Sequence, residues 1–331
     1  MNSDRLFFYD GVNKLEYLIL VVGFFLLIKG ADFFVDGASA VSAIAKVPPL
    51  LIGLTIVAFG TSAPEAAVSF VAALKGSNDI VIGNVVGSNI FNLLIAIGIS
   101  AIIRTVTVQK NTIIKEFPLA IYSTLLMLFL ASDGLIDGFE TNVLTRTDGI
   151  VLLLGFAVFV FYLVELAFLS DEEDISIYDV ETIPLSRSIL FLILGLGMIV
   201  AGGNVVVKSA TTIALAWGMS EALVGITIVA IGTSLPELVT SAAAAYKGQS
   251  DIAVGNIIGS GLFNILFVLG FSAVISPITV SSKLFFDFGF LIVITLISYL
   301  FSYTKKEIDR TEGIILTLMY VIYMVYIIIR N

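Results

Sequence analysis

The stretch GLTIVAFGTSAPE, residues 53–65, places a proline and a glutamate inside an apolar run that is otherwise typical of a membrane-buried segment. Residues 225–237, GITIVAIGTSLPE, repeat the arrangement. A carboxylate at the centre of a bilayer costs about 3 kcal/mol on insertion scales, so acids are rare there and are usually retained for function. We therefore expect Glu65 and Glu237 to form the functional centre of the chain.

The composition indicates a membrane protein. Of 331 residues, 58% are hydrophobic and only 13% are charged. Apolar runs long enough to cross a hydrocarbon core of about 30 Å recur along the whole chain. These runs lie at residues 15–43, 48–74, 79–103, 113–132, 148–169, 187–217, 221–246, 251–276, 284–303 and 311–329. The sequence thus predicts an all-α polytopic membrane protein with ten transmembrane helices, of which the second and seventh are broken.

The missing residue types restrict the chemistry. The chain has no cysteine and no histidine, so oxygen atoms must hold any metal ion, and oxygen ligands favour Na⁺, Ca²⁺ or Mg²⁺ over transition metals. No recognisable nucleophile constellation is present, and we expect no enzyme activity and no cofactor. The net charge of −9 argues against nucleic-acid binding. Apart from the lipid bilayer and ions, nothing in the sequence indicates a partner.

An internal duplication is the strongest pattern in the chain. A shift of 172 positions aligns residues 53–92 with 225–264 without a gap, and 23 of the 40 positions are identical. Each half holds five predicted spans. Because five is odd, the second half enters the membrane from the opposite side, which predicts two inverted repeats of the kind that secondary transporters use.

The predicted boundaries are a first repeat at residues 1–169, a linker at 170–186 and a second repeat at 187–331. The linker carries an acidic run whose members are Asp171, Glu172, Glu173 and Asp174. Such a run is either a solvated connector or a regulatory calcium site. The sequence leaves both interpretations open.

Basic residues predict the orientation in the membrane. Nine lysines and arginines fall on one predicted face and six on the other. Because the more basic face is usually cytoplasmic, we expect a cell (inner) membrane protein with both termini on the extracytoplasmic side.

The first motif suggests a cation site. Pro64 has no N–H for the carbonyl of Gly60, so the second span is expected to open in that turn and to leave carbonyls around Ala58, Gly60 and Thr61 unpaired. A bound cation is one partner for such carbonyls. Thr61 and Ser62 add oxygens beside the carboxylate.

The second motif repeats every element of the first. Its members are Ala230, Gly232, Thr233, Ser234, Pro236 and Glu237. The alternative is a proline kink in which the glutamate pairs with a structural lysine. Lys29 and Lys208, the two lysines well inside predicted spans, are both in other helices.

Two further strings, GNVVGSNIFN at 83–92 and GNIIGSGLFN at 255–264, begin the third and eighth spans. In the first, Asn84, Ser88 and Asn92 recur every four residues and form a polar stripe that can face Glu65. Asn92 and its counterpart Asn264 serve either the cation site or hydrogen bonds between helices.

The paired GTSxPE and GNxxGSxxFN strings resemble the two alpha-repeats of the calcium/cation antiporter superfamily, in particular its prokaryotic-type Na⁺/Ca²⁺ exchanger branch. The resemblance covers nearly the whole chain. It implies ten helices, with the second, third, seventh and eighth around four cation sites. It also implies Ca²⁺ ligation by Glu65 and Glu237 with the Thr61 and Thr233 carbonyls. The implied Na⁺ ligands are Ala58, Ser62, Ser88, Ala230, Ser234 and Ser260.

The expected function is therefore exchange of Na⁺ for Ca²⁺ by alternating access, with net charge movement. Some relatives, including the K⁺-dependent branch, have aspartate where this chain has Asn264, which argues against K⁺ dependence. The H⁺-coupled branch usually shows Gly-Asn-Ala before the acid, and this chain lacks it. H⁺-coupled cation antiport remains the alternative because glutamates also carry protons. A cation channel would not explain inverted repeats with a broken helix in each.

Overall fold

The computed structural model describes residues 14–136, 138, 141–169, 183–219 and 230–330. Within them, eight helices are long and apolar enough to cross a membrane, and a bent pair makes a ninth span. The helices that form these spans, or parts of them, are α1 (Lys14–Ala45), α2 (Pro49–Thr61), α3 (Ala63–Leu74), α4 (Asn78–Ile103), α5 (Thr112–Leu130), α6 (Arg146–Leu169), α7 (Leu185–Ala216), α8 (Ala230–Thr233), α9 (Leu235–Tyr246), α10 (Ser250–Ile275), α11 (Leu284–Lys305) and α12 (Arg310–Arg330).

Nine of the predicted spans agree with these helices to within two residues at each end. The predicted span at 221–246 is described only from Ala230 onward, as α8 and α9; residues 221–229 lie outside the described part of the chain. Residues 170–182 of the predicted linker, with its acidic run, also lie outside it. The helix that follows the linker begins at Leu185.

The predicted break in the second span is present. The axes of α2 and α3 differ by 48°, and the break falls at Ser62, inside the turn from Gly60 to Pro64. Pro64 lies in the first turn of α3, where a helix needs no N–H donor. The expectation that the Ala58 carbonyl is unpaired is wrong, because the N–H of Ser62 donates to it at 3.0 Å.

Widened helical turns interrupt the helices near the motifs. π-helical segments occur at Gly53–Val57, Asn92–Ala96 and Phe263–Leu269. Such segments are frequent at functional sites because the extra residue per turn redirects side chains. Asn92 begins the second segment, and Asn264 lies in the third.

Two short antiparallel ribbons mark the ends of the bundle. One pairs β1 (Val106–Thr107) with β4 (Glu307–Ile308), and the other pairs β2 (Asn142–Leu144) with β3 (Ile278–Val280). The ribbons lie at opposite ends, because α5 is the one membrane-spanning helix between β1 and β2, and only the four-residue helix Asp133–Ile136 separates it from β2.

The turns that follow the two motifs lie at different ends of the bundle. The turn between α9 and α10 lies at the β1–β4 end, where the N–H of Thr107 donates to Ser250 Oγ at 3.3 Å. The turn between α3 and α4 lies at the β2–β3 end, where Ser77 and Thr279 line one cavity. These turns are related by the 172-residue shift.

Helices α1 and α7 pack antiparallel through glycines. A Cβ on Gly30 would lie 2.8 Å from the backbone nitrogen of Ile199, and a Cβ on Gly23 would lie 2.8 Å from Val206 Cγ2. Only glycine permits this approach, so the backbones nearly touch.

Gly195→Ala tests that contact. The new methyl group would lie 2.5 Å from the backbone nitrogen of Phe34 and 2.8 Å from the Gly30 oxygen, so the helices must separate. We expect a loss of stability of about 1–3 kcal/mol, measured as a lower Tm in detergent. Gly197→Ala is the matched control, because no described heavy atom lies within 4 Å of its new methyl. Equal Tm values for the two variants would contradict the close approach.

An ionic contact ties α1 to the end of α9. Lys247 Nζ donates to Asp36 Oδ1 and to the backbone oxygen of Asp32, both at 2.8 Å. At the positions 172 residues away from the two acids, the chain has Asn204 and Lys208. The acidic side of this contact is therefore present in only one half of the duplication.

Candidate functional site

Glu65 and Glu237 lie at matching places in the fold. Each is in the first turn of the helix that resumes after a break, and each side chain is fully buried. The positive end of that helix faces the carboxylate and stabilises its charged form. Among the described residues, no lysine or arginine forms an ion pair with either glutamate; Lys29 pairs with Asp32 instead.

Serine hydroxyls join the two motifs into one site. Ser62 Oγ donates to Glu237 Oε1 at 2.9 Å, and Ser234 Oγ donates to Glu65 Oε1 at 3.1 Å. Each carboxylate is therefore bound by the serine of the opposite motif. The two broken helices meet, and all four side chains are buried.

One serine from α4 and one from α10 also line the site around the two carboxylates. Ser88 Oγ approaches Glu65 Oε1 at 3.5 Å, and Ser260 Oγ donates to the Ala58 carbonyl at 3.4 Å. Both serines are buried. These hydroxyls add oxygen atoms around the carboxylates without adding charge.

Several buried polar atoms of the site have no hydrogen-bond partner in the described part of the chain. They are Glu65 Oε2, Glu237 Oε2 and both amide atoms of Asn92 and Asn264. Buried polar atoms are normally paired, so each of these indicates a ligand or an ordered water. Carboxylate, amide, hydroxyl and carbonyl oxygens are the ligands that Ca²⁺ and Na⁺ prefer.

Thr61 and Thr233 lie beside the carboxylates and across from two asparagines. Thr61 Oγ1 donates to Asn256 Oδ1 at 3.0 Å, and Thr233 Oγ1 approaches Asn84 Oδ1 at 3.5 Å. Ala230 is the first residue of α8. The structure thus brings the predicted Ala58, Thr61, Ser62, Ser88, Thr233, Ser234 and Ser260 to one place with the two glutamates.

A cavity of about 530 Å³ extends from the β2–β3 end of the bundle to the site. Its wall includes Asp79 and Arg330 near that end, and Asn84, Ser88 and Thr233 at the site. The GxxxG spacing of Gly83 and Gly87 is typical of a face that a neighbouring helix approaches closely. Both glycines line this cavity instead, and no described heavy atom lies within 4 Å of a Cβ built on either. The cavity therefore reaches Ser88 and Thr233 from one end of the bundle, while both glutamates stay buried.

The site residues predicted from the sequence did not include Asn84 and Asn256. The side-chain amides of these two asparagines contact both motifs. The sequence has asparagine at this position in both copies of the duplication, and this repetition is the pattern that would have indicated a role in the site. The sequence placed Asn84 on the stripe facing Glu65, and the structure confirms that position: Asn84 Nδ2 donates to the Glu65 backbone oxygen at 3.0 Å.

Comparison with known proteins agrees with this geometry. The profile of the sodium/calcium exchanger protein family matches residues 15–165 and 187–329. The chain is 33% identical to the sodium/calcium exchanger MaX1 of Methanosarcina acetivorans, over 94% of this chain and 97% of MaX1. It is 36% identical to the inner membrane protein YrbG of Escherichia coli, over 92% and 94% of the two chains.

A solved structure of the sodium-calcium exchanger NCX_Mj shares the fold. It superposes with a TM-score of 0.79 at 30% sequence identity and covers 94% of this chain and 98% of NCX_Mj. The family match, the full-length relatives and the shared fold lead to one conclusion: the chain is an integral, multi-pass membrane protein that belongs to the sodium/calcium exchanger family.

Proposed function

We propose that this protein is a secondary active antiporter that exchanges Na⁺ for Ca²⁺ by alternating access, with net charge movement. The observation that carries the proposal is the pair Glu65 and Glu237. Both are buried, each is bound by a serine of the opposite motif, and each keeps one oxygen without a partner in the described chain. Two buried carboxylates with no basic partner among the described residues need a cation, and a divalent ion matches their charge.

In this proposal, Ca²⁺ binds between the two carboxylates with help from the Thr61 and Thr233 carbonyls. Sodium ions bind on either side, and their ligands are Ala58, Ser62 and Ser88 in one half and Ala230, Ser234 and Ser260 in the other. Asn92 and Asn264 face the ions through their amides. Support for this role comes from their amide atoms, which are buried and make no hydrogen bond to another described helix.

We further propose ten spans in two inverted repeats, with α8 and α9 as the described part of the seventh span. Two observations support inversion. The turns between α3 and α4 and between α9 and α10, which are related by the 172-residue shift, lie beside different ribbons at opposite ends. The hydrogen bonds between the motifs are reciprocal, as a twofold axis in the membrane plane requires.

We place the protein in the cell membrane with both termini outside the cytoplasm. The distribution of lysine and arginine supports this orientation. The relative YrbG is named an inner membrane protein, which agrees with the assignment.

Sodium is the proposed coupling ion because MaX1 and NCX_Mj are both named sodium/calcium exchangers. The alternative is proton coupling, since two buried glutamates can also carry protons. Sodium coupling and proton coupling would use the same two carboxylates, so only a transport measurement can distinguish them.

The test is ⁴⁵Ca²⁺ uptake into proteoliposomes under two imposed gradients. We expect rapid uptake when Na⁺ is trapped inside and diluted outside, and uptake at the protein-free background when an acidic interior is the only gradient. Choline replaces Na⁺ in the control vesicles. Uptake driven by the acidic interior alone would assign the coupling to protons. Uptake without any counter-ion gradient would indicate a channel.

A further inference from the structure

We propose that Asn84 and Asn256 are positioning residues that hold the glutamate of their own repeat and the threonine of the opposite repeat in one arrangement. The inference rests on the proposed function, because it concerns how the same site is kept ready for ions. Neither asparagine belongs to the proposed ligand set. They occupy equivalent positions in α4 and α10, 172 residues apart.

Asn256 contacts three groups, one from each motif and one from the next turn of α9. Its Nδ2 donates to the Glu237 backbone oxygen at 3.3 Å and to Ser241 Oγ at 2.8 Å. Its Oδ1 accepts a hydrogen bond from Thr61 Oγ1 at 3.0 Å. The side chain is fully buried, so none of these bonds competes with water.

Asn84 makes the same three contacts in the other half. Its Nδ2 donates to the Glu65 backbone oxygen at 3.0 Å and to Ser69 Oγ at 2.9 Å. Thr233 Oγ1 approaches its Oδ1 at 3.5 Å. The repetition of the whole pattern shows that the contacts belong to the architecture of the site.

The geometry explains why the residue is asparagine. Glu237 and Ser241 are four residues apart and lie on one face of α9, so the two N–H groups of a single amide fix the first turn of that helix. The backbone oxygen can only accept, which directs Nδ2 toward it and leaves Oδ1 for the threonine hydroxyl. Aspartate would lack the two donors, and a shorter hydroxyl side chain would lose one of the three contacts.

The consequence concerns ion affinity. In the proposed site a cation is bound by groups of both motifs, and each asparagine fixes the backbone that carries a glutamate of one motif relative to a threonine of the other. Loss of groups that orient metal ligands commonly lowers metal affinity about 10- to 100-fold. We expect Asn256→Ala and Asn84→Ala to raise the KM for Ca²⁺ by this amount while the maximal exchange rate stays close to that of the wild type.

Double-mutant cycles separate positioning from general damage. The contacting pairs are Asn256→Ala with Thr61→Val, and Asn84→Ala with Thr233→Val. The exchanged pairs, Asn256→Ala with Thr233→Val and Asn84→Ala with Thr61→Val, use the same substitutions at residues without a described hydrogen bond between them. KM for Ca²⁺ is measured for each single and double variant in proteoliposomes with trapped Na⁺.

For each contacting pair, the fold-change in KM of the double variant should differ by about fivefold or more from the product of the two single fold-changes. This is within the range seen for residues in contact. For exchanged pairs the effects should multiply to within about twofold. Equal behaviour of the two kinds of pair, or a KM that Asn256→Ala and Asn84→Ala leave unchanged, would overturn the proposal.

A binding measurement keeps this test independent of exchange. The Tm of each purified variant is recorded against Ca²⁺ concentration, because a ligand that binds only the folded state raises Tm. The half-saturating Ca²⁺ concentration should shift as KM does. If the wild type is stabilised by Ca²⁺ but shows no Na⁺-driven uptake, the proposed function fails and the cycles are scored on Tm alone. If the wild type exchanges normally, and the single effects on KM multiply in the contacting pairs as well, only the positioning role fails.

Discussion

Glu65→Gln is expected to reduce Na⁺-driven Ca²⁺ exchange by at least about 100-fold. Glutamine keeps the shape of the side chain and an oxygen for the Ser234 hydroxyl, which lies 3.1 Å from Glu65 Oε1. The substitution removes one of the two buried charges that face a divalent ion. Removing one partner of a buried charge interaction costs about 3 kcal/mol or more, which is a factor of at least about 100 in affinity.

Glu237→Gln should have an equally large effect, because the two acids have equivalent burial and partners. Initial ⁴⁵Ca²⁺ uptake rates in proteoliposomes measure the loss, and Ca²⁺-induced stabilisation in a thermal melt measures binding separately. Glu165→Gln is the control: this acid lies on the exposed side of α6, and its substitution should leave both measurements unchanged. Near-normal uptake by either Glu65→Gln or Glu237→Gln would show that transport does not require both carboxylates, which would contradict the prediction.

The positions of the helices and of both acids could be predicted because they depend on local sequence. Apolar runs of about 20 residues must cross the bilayer, and the polar turns between them fix the ends to within two residues. Glu65 and Glu237 stand out because an acid inside such a run is costly and the duplication repeats it at the same position.

The contacts across the site could not be predicted, because sequence shows two similar motifs but not which groups meet. Ser62 binds Glu237 rather than Glu65, a pairing that only the crossing of the two broken helices creates. The hydrogen bond to the Ala58 carbonyl at the break was also missed. Proline fits the first turn of a helix without strain, so the chain breaks before Pro64, at Ser62, and the Ala58 carbonyl keeps a partner.

A second feature that the sequence concealed is the contact of Lys247 with Asp36. The two residues are far apart in the chain, and each alone is typical of a solvated helix end. The structure places them 2.8 Å apart on α1 and the end of α9. Because the equivalent acidic positions hold Asn204 and Lys208, the duplication is symmetric at the site and asymmetric at the contacts between α1, α7 and the core.

Voltage is expected to drive the exchange. With Glu65 and Glu237 ionised and Asn92 and Asn264 neutral, the site carries a charge of −2, which one Ca²⁺ neutralises. The resemblance to the Na⁺/Ca²⁺ exchanger branch suggests exchange of three Na⁺ for one Ca²⁺, and three sodium ions would leave a net charge of +1 on the loaded site. Each elementary charge that crosses the membrane contributes about 2.3 kcal/mol per 100 mV, which corresponds to a concentration ratio of about 50.

The measurement uses proteoliposomes with equal Na⁺ and Ca²⁺ on both sides and an interior-positive K⁺ potential set with valinomycin. Net positive charge leaves with Na⁺, so Ca²⁺ should accumulate inside by about 50-fold at 100 mV for exchange of three Na⁺ for one Ca²⁺. A channel would move Ca²⁺ in the opposite direction, out of the positive interior. No net movement, combined with intact exchange, would mean two Na⁺ or two H⁺ per Ca²⁺.

Asn264→Asp extends the same count of charges to a second measurement. A third carboxylate makes the site −3, so the sodium-loaded form becomes neutral and the calcium-loaded form carries −1. The overall stoichiometry, and hence the accumulation of about 50-fold at 100 mV, should not change. The charge movement should shift from the sodium-dependent to the calcium-dependent half of the cycle, which Na⁺ and Ca²⁺ concentration jumps on a supported membrane record separately. Charge movement that remains with sodium in this variant would place Asn264 outside the group of side chains that face the ions.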